Sequence, residues 1–337
     1  MAAPISTANR IRGSLYGVAV CDALGGPVEF CRRGTFSPVT ALRYNPNFDL
    51  PPGSWTDDTS MTLCLAQSLV DNDGESSLQD QVQKYIQWFE KGYMSSTGRC
   101  FDIGNATRKA LSIWGEEFSK GGSEAEVLKR GQLAVDRSLK RKIQCGNGSL
   151  MRVSPIGLVF HDDVAKAMEH AAASSRVTHP YPTNGEACKL YTALVASTFR
   201  NIAKADLAMI VANWTFEDPD LKSRFAPHRT FEAWQEVSEK QISSSGYVVH
   251  SLDASLWAFF TTSSFEEGAL KAVNLGDDAD TVGAIYGGIA GAFYGIDAIP
   301  KEWLTGLQSN SMVDDVVESV VTLVQSAYSG DIQKYHW

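Results

Sequence analysis

The sequence lacks the cysteine patterns that mark several common classes of protein. It contains no Cys-x-x-Cys pair, and its six cysteines stand singly at positions 21, 31, 64, 100, 145 and 188. Zinc knuckles and thioredoxin-like sites require such pairs, so neither is expected. Residues 1–12 also lack the apolar segment of a signal peptide. Because single cysteines are typical of reducing compartments, we expect a cytoplasmic protein that can also be nuclear.

Excess positive charge and long hydrophobic runs are absent as well. The 30 Lys and Arg residues are outnumbered by 39 Asp and Glu residues, which gives a formal net charge of −9. Nucleic-acid binding depends on clustered Lys and Arg, so no nucleic-acid partner is expected. The most apolar stretch, 282–296, is shorter than the roughly 20 residues of a membrane span. We interpret it as a buried, glycine-rich helix and expect no membrane partner.

Helical periodicity dominates the remaining sequence. Apolar residues at 78, 82, 85, 86 and 89 lie on one face of a helix, with polar residues between them. Strictly alternating patterns, which would indicate strands, are scarce. The sequence therefore predicts an all-α fold: one compact domain over residues 1–337, with about a dozen or more helices. A monomer is expected. Similar helical patterns run over 11–24, 60–70, 105–118, 165–173, 185–199 and 312–328.

Two of these helices carry small residues along one face. Glycine recurs every fourth position at 283, 287, 291 and 295, and Gly13, Gly17, Cys21 and Gly25 form a similar stripe. Each glycine inside a helix costs about 1 kcal/mol relative to alanine, so a compensating gain is expected. Close approach of two backbones would supply it. We therefore predict that these two helices cross in the core, against each other.

Two acidic clusters precede helices that look buried. The first contains Thr56, Asp57 and Asp58, and the second contains Asp277, Asp278, Asp280 and Thr281. Helix capping explains one such residue, because Asp and Thr are good N-caps. It does not explain several adjacent carboxylates, whose burial without compensation is costly. An all-oxygen set of this kind suits Mg²⁺, Mn²⁺ or Ca²⁺, and five carboxylates are enough for a pair of ions about 3.5–4 Å apart.

The whole set of motifs resembles the ADP-ribosyl-glycohydrolase family, which is typified by the enzyme that reactivates dinitrogenase reductase. Each segment alone is weakly specific, but their order along nearly the whole chain is highly specific. The matching segments are GSLYGVAVCDALG (13–25), EF (29–30), PGSWTDDT (52–59), FDIG (101–104), GNGSLMR (146–152), THP (178–180), ASLWAF (254–259) and DADTVGA (278–284).

The resemblance implies an all-α hydrolase with a central cleft that binds two Mg²⁺ or Mn²⁺ ions, with Ca²⁺ as an alternative. It implies that the metal ligands are Thr56, Asp57, Asp58, Asp278, Asp280 and Thr281. For the group that transfers the proton, it implies two candidates, Glu29 and Asp102. It also implies a catalytic role for Asp58. The implied substrate-binding residues are Glu29, the turn Gly146, Asn147, Gly148 and Ser149, and His179 near the adenosine ribose.

Two further residues have open assignments. Tyr247 lies in a loop before an apolar helix, where it could stack on adenine or could simply pack against its neighbours. Asp277 is a departure from the resemblance, since the family usually has glycine at this position. An additional carboxylate could alter the metal preference or could point to solvent, and we expect solvent.

The resemblance leaves the substrate open. The leading hypothesis is hydrolysis of ADP-ribose from arginine or serine of a modified protein. A free small molecule such as O-acetyl-ADP-ribose would use the same chemistry. A non-catalytic, crystallin-like protein is a third alternative, although all six matched metal positions carry oxygen ligands. From the carboxylate clusters alone, a metal-dependent phosphohydrolase is also compatible.

Overall fold

A computed structural model describes residues 4–334, with side chains described as far as residue 327. This part of the chain forms sixteen α-helices and contains only isolated β-bridges, which confirms the all-α prediction. The helices are α1 (Thr7–Gly25), α2 (Asp57–Asp71), α3 (Leu78–Lys91), α4 (Asn105–Ser119), α5 (Glu124–Ser138), α6 (Ser154–Val159), α7 (Val164–Arg176), α8 (Pro182–Thr198), α9 (Lys204–Ala212), α10 (Pro219–Phe225), α11 (Phe231–Gln235), α12 (Val248–Phe260), α13 (Phe265–Val273), α14 (Ala279–Tyr294), α15 (Lys301–Thr305) and α16 (Asn310–Lys334).

Every segment with predicted helical periodicity coincides with one of these helices, although the segment 185–199 extends one residue beyond the end of α8. The patterns did not predict α5, whose buried face consists of Val127, Gly131 and Val135. Only two of those three residues have apolar side chains, so the helix carries little of the hydrophobic signal on which sequence patterns depend. The shortest helices, such as α11 and α15, have five residues each, which is too few to show a period of 3.6.

The core is organised around α1 and α14, which pack antiparallel with almost no side chains between them. A Cβ atom added to Gly17 would lie 2.2 Å from the carbonyl oxygen of Gly287. One turn further along, a Cβ atom on Gly291 would lie 1.9 Å from the carbonyl oxygen of Gly13. The predicted crossing of the two glycine-striped helices is therefore confirmed, and each glycine is required by the backbone of the other helix.

This close packing brings three helix ends together. The last residue of α1, Gly25, has no room for a Cβ atom because the Cα atom of Asp280 would lie 2.4 Å from it. Asp22, one turn earlier on α1, accepts hydrogen bonds from the start of α2. The carboxyl-terminal end of α1 thus lies against the amino-terminal ends of α2 and α14. Since both acidic clusters are at those ends, the helix pair decides where they meet.

None of the helices in the described residues is long and apolar enough to cross a lipid bilayer.

Candidate functional site

A cleft of about 660 Å³ opens above these three helix ends. Its lining combines acidic residues with the glycine turn, two cationic residues and the start of α4. The acidic lining residues are Glu29, Asp57, Asp102, Asp278 and Asp280, with Thr281 beside them. The remaining lining includes Lys109, Arg141, Gly146, Asn147, Gly148 and His179. The structure therefore brings most of the sequence-predicted residues to one cavity.

The amino-terminal end of α2 is held by a residue of α1. Asp22 is fully buried, and its carboxylate accepts hydrogen bonds from the backbone N–H and the hydroxyl of Thr56, at 3.0 and 2.9 Å. It also accepts from the N–H and hydroxyl of Thr59, at 3.0 and 2.6 Å. Asp22 thus satisfies N–H groups that an N-cap side chain would otherwise serve. Sequence reasoning missed Asp22, although an acid inside the small-residue run of α1 was an available signal.

The N-cap side chains do not explain the two acidic clusters, although Asp280 Oδ1 accepts a 2.9 Å hydrogen bond from the N–H of Thr281 in the first turn of α14. Thr56 and Asp278 occupy the N-cap positions of α2 and α14, but neither side chain makes a capping hydrogen bond within the described residues. The Thr56 hydroxyl faces Asp22 and Asp58 instead. The Asp278 carboxylate accepts a 2.7 Å hydrogen bond from the side-chain amide of Asn147. Both side chains are therefore turned toward the interior of the site.

The buried carboxylates form two groups that share one member. Oxygens of Asp22, Asp58 and Asp280 lie within 4.8 Å of one another, and so do oxygens of Glu29, Asp278 and Asp280. Thr281 donates a 3.3 Å hydrogen bond to Asp58, which links the two helix starts. Asp280 is the carboxylate common to both groups. Two adjacent cation positions bridged by one carboxylate are compatible with this arrangement.

Two buried oxygen atoms of the site have no hydrogen-bond partner in the described residues. They are Oδ1 of Asp58 and Oε2 of Glu29. A buried acceptor left without a donor costs roughly 1–3 kcal/mol, and more when it is charged. Carboxylate and hydroxyl oxygens are the ligands that hard divalent cations prefer. The residues present therefore fit a bound divalent cation, which would satisfy Oδ1 of Asp58, whereas Oε2 of Glu29 can instead carry a proton.

The pKa shifts of the clustered carboxyls also support a bound divalent cation. Burial, followed by the charge of Asp58, raises the pKa of Asp280 far above its usual range. Burial and then Asp280 raise the pKa of Glu29. Burial likewise raises the pKa of Asp22 to about 6, although its hydrogen bonds to Thr59 and Thr56 oppose the shift. Without a countercharge, several of these carboxyls must hold protons near neutral pH, whereas a divalent cation would let them ionise.

Asp102 and Glu29 face each other across the acidic side of the cleft. Asp102 precedes α4 and has a left-handed backbone with φ of +47°, which is unusual for a residue other than glycine. Burial raises its pKa to about 7, and a hydrogen bond with Glu29 opposes that rise. Both carboxyls are placed to exchange a proton with a group bound in the cleft. Their geometry keeps both as candidates for this role.

The glycine turn contacts the acidic side through one asparagine. Besides its bond to Asp278, the side-chain amide of Asn147 donates to the hydroxyl of Ser251 at 2.8 Å. Gly148 lies against His179, since a Cβ atom added there would be 3.0 Å from the imidazole Cε1. Ser149 is buried and accepts a 2.8 Å hydrogen bond from Ser175, so it does not line the cleft.

His179 and Tyr247 occupy different environments. His179 is buried at the edge of the cleft, with Nδ1 2.9 Å from the hydroxyl of Thr178. Burial lowers its pKa to about 3, so the ring is neutral at physiological pH. Tyr247 lies behind the glycine turn: its backbone pairs with Gly146 and its hydroxyl donates to Asp220. The structure does not place the Tyr247 ring among the residues that line the cleft.

Asp277 is exposed, as expected. Its φ of +54° lies in the left-handed region that favours glycine, so a glycine would fit this position without strain. Its carbonyl accepts a 2.7 Å hydrogen bond from the N–H of Phe30, and its own N–H donates to the carbonyl of Cys31 at 2.7 Å. Asp277 thus joins the two loops that carry Glu29 and Asp278.

Comparison with known proteins matches nearly the whole chain to one protein family. The family model described as ADP-ribosylglycohydrolase matches residues 3–330. The ADP-ribosylarginine hydrolase Tri1 of Serratia proteamaculans is 31% identical over 322 residues, which cover 93% of this chain and 79% of that protein. The ADP-ribosyl-[dinitrogen reductase] glycohydrolase of Rhodospirillum rubrum is 28% identical over 310 residues, or 90% of this chain and 91% of that enzyme.

A solved structure shares the fold as well. A chain of an "ADP-ribosylglycohydrolase-related protein complex" superposes with a TM-score of 0.76 and 32% sequence identity. The superposition covers 94% of this chain and 99% of the other.

Proposed function

The chain belongs to the ADP-ribosylglycohydrolase family of hydrolases, and on that basis we propose that it releases ADP-ribose from modified arginine side chains with a pair of Mg²⁺ or Mn²⁺ ions. The observation that carries the proposal is the pair of carboxylate groups that share Asp280 on the acidic side of the cleft. The family match over residues 3–330 supports a single catalytic domain for residues 1–337.

The proposed metal ligands are Thr56, Asp57, Asp58, Asp278, Asp280 and Thr281. The unpartnered Asp58 Oδ1 supports this assignment, because it is a buried acceptor without a donor. When bound, paired divalent cations supply Lewis-acid activation of water and orientation of the ribose hydroxyls. Asp22 belongs to one of the two carboxylate groups but stays outside the proposed ligand set, since its oxygens already accept four hydrogen bonds from Thr56 and Thr59. That cation position therefore relies on Asp58 and Asp280.

The part of the cleft that is lined by the start of α4, Lys109 and Arg141 suits the pyrophosphate. No side chain of the described residues caps α4, and its first residues, together with Gly104, line the cavity. Free N–H groups at the start of a helix bind phosphate well. Lys109 and Arg141 add positive charge beside them. We therefore place the pyrophosphate near α4 and the turn Gly146–Gly148, and the ribose to be cleaved at the acidic side.

The chain supplies the proton through a carboxyl at the acidic side. Cleavage of the bond from ribose to a guanidine nitrogen requires protonation of that nitrogen as it leaves. Glu29 and Asp102 both line this part of the cleft, and each is buried enough to favour its protonated form. His179 has a lowered pKa and would be neutral, so we assign it to binding of the adenosine ribose rather than to proton transfer.

Arginine is proposed ahead of serine because of the relatives. The similar protein from Serratia proteamaculans is named for ADP-ribosylarginine. Cleavage of serine-linked ADP-ribose or of O-acetyl-ADP-ribose would use the same acidic side and is an outcome of the test. A non-catalytic role is disfavoured because every proposed ligand position retains an oxygen donor.

The test measures release of free ADP-ribose from arginine-linked and serine-linked peptides and from O-acetyl-ADP-ribose, with Mg²⁺, Mn²⁺ or EDTA. We expect metal-dependent release from the arginine-linked peptide. Asp278→Asn should abolish release and weaken Mn²⁺ binding measured by calorimetry. The adjacent Asp277→Asn is the matched control, because Asp277 is exposed and should leave both properties unchanged. Release that persists in EDTA, or an active Asp278→Asn protein, would overturn the metal assignment.

A further inference from the structure

Phe30 is an aromatic residue that the fold leaves in solvent at the edge of the cleft. Its side chain is 69% exposed, and it lines the cavity directly after Glu29. Its backbone φ is +64°, in the left-handed region that is uncommon for residues other than glycine. An exposed aromatic ring contributes little to the core, so burial does not explain why this position carries phenylalanine.

The surrounding backbone imposes this conformation. The N–H of Phe30 donates to the carbonyl of Asp277 at 2.7 Å, and the N–H of Asp277 donates to the carbonyl of Cys31 at 2.7 Å. These two bonds join the loop after Glu29 to the loop before Asp278. The ring is therefore carried by a backbone that is pinned on both sides, next to two carboxylates of the site. Strain that the surrounding structure maintains in this way is typical of functional positions.

The charge distribution of the cleft indicates which part of a substrate meets this ring. Lys109, Arg141 and the start of α4 are the lining groups that suit pyrophosphate, whereas Glu29, Asp102 and Asp278 are the acidic lining groups. If the ribose is bound at the acidic side, the bond to be cleaved is there too. The group that leaves then stands beside Glu29, and Phe30 is the exposed ring adjacent to it in the sequence.

We propose that the Phe30 ring receives the guanidinium group of the modified arginine and thereby selects arginine-linked substrates. A guanidinium over an aromatic face is attracted by the ring's quadrupole. A serine oxygen carries no such charge and gains nothing from the ring. This inference rests on the proposed function and adds to it the residue that recognises the leaving group.

The test varies the ring and leaves the rest of the cleft unchanged. Phe30→Leu removes the aromatic face, Phe30→Tyr keeps it, and trifluorophenylalanine at position 30 keeps the shape while weakening the quadrupole. We measure kcat/KM on an arginine-linked ADP-ribosylated peptide and the inhibition constant of free ADP-ribose, which has no guanidinium. Tyr44→Leu is the matched control, because Tyr44 is a 51% exposed aromatic residue outside the cleft lining.

Phe30→Leu and the fluorinated protein should lose roughly 3- to 30-fold in kcat/KM on the arginine-linked peptide. Inhibition by ADP-ribose should stay unchanged in both, and Phe30→Tyr and Tyr44→Leu should match the unmodified protein. Equal activity of the Leu and Phe proteins would overturn the proposal. So would a parallel loss of ADP-ribose inhibition, since Phe30 would then support the whole cleft. Failure of the unmodified protein on arginine-linked peptide would instead overturn the proposed function, and this inference with it.

Discussion

Substitution of Gly287 tests how closely the two central helices must approach. A Cβ atom at this position would lie 2.0 Å from the carbonyl oxygen of Gly17, whereas real Cβ contacts essentially never fall below 3.0 Å. Gly287→Ala must therefore move α1 and α14 apart by about 1 Å at this point. The carbonyl oxygen is part of the backbone, and the position of a Cβ atom is fixed by the backbone, so no side-chain rotation can relieve this contact.

The expected loss of stability follows from two opposing terms. Overpacking of a tight core costs about 1–3 kcal/mol, and the upper end applies here because the obstacle is backbone. Replacement of glycine by alanine inside a helix returns about 1 kcal/mol. We expect Gly287→Ala to lower the free energy of unfolding by about 2 kcal/mol. Gly287→Leu, which adds three further carbons at the same place, should not fold.

The assay is urea unfolding followed by circular dichroism, with Gly115→Ala as the matched control. Gly115 also lies inside a helix, α4, but a Cβ atom added there meets nothing within 4 Å. The same substitution should therefore stabilise the protein at Gly115, by up to about 1 kcal/mol. If both alanine variants shift the urea midpoint in the same direction, the argument from close helix approach is refuted.

Two further predictions concern the acidic side of the cleft. In EDTA, the free energy of unfolding should fall as pH rises through the pKa of Asp22, about 6, and the pKa of Asp102, about 7. Because both pKa values are raised, the folded state binds more protons than the unfolded state, and this difference is lost as the pH rises. Mn²⁺ should oppose this loss of stability, and more strongly at about pH 8 than at about pH 5. Urea midpoints that do not change with pH in EDTA would contradict this prediction. Asp22→Asn places an amide N–H₂ donor against the donor groups of Thr56 and Thr59. It should therefore weaken Mn²⁺ binding about tenfold, as measured by calorimetry. An unchanged Kd would show that Asp22 does not position the metal ligands.

Much of the site could be predicted from local sequence. The clusters around Asp57 and Asp280 are recognisable because several carboxylates precede a buried helix, a pattern that capping alone does not require. The glycine stripe was informative for the same reason, since each unfavourable glycine implied a close neighbour. In each case the residues break a local rule, and the structure supplies the compensation for the two stripes at the α1–α14 contact.

The roles of other residues depend on partners that local sequence does not show. Asp22 sits among small and apolar residues of α1, and only the approach of α2 gives it four donors. Ser149 shares a motif with Gly148 but turns into the core, and Tyr247 bonds to Asp220 behind the turn. These outcomes depend on partners far away in the sequence, which a local pattern does not contain.

The sequence by itself determined the helical class, the two striped helices that pair in the core and the acidic clusters at the starts of α2 and α14. These depend on periodicity, glycine spacing and the cost of adjacent carboxylates, all of which act within one segment of chain. The tertiary structure decided which carboxylates come close together and which aromatic ring stays exposed beside them. The reason is physical: the distance between Asp58 and Asp280 is set by how closely α1 and α14 pack, because the start of α2 is held by Asp22 of α1 and the start of α14 by its contact with Gly25.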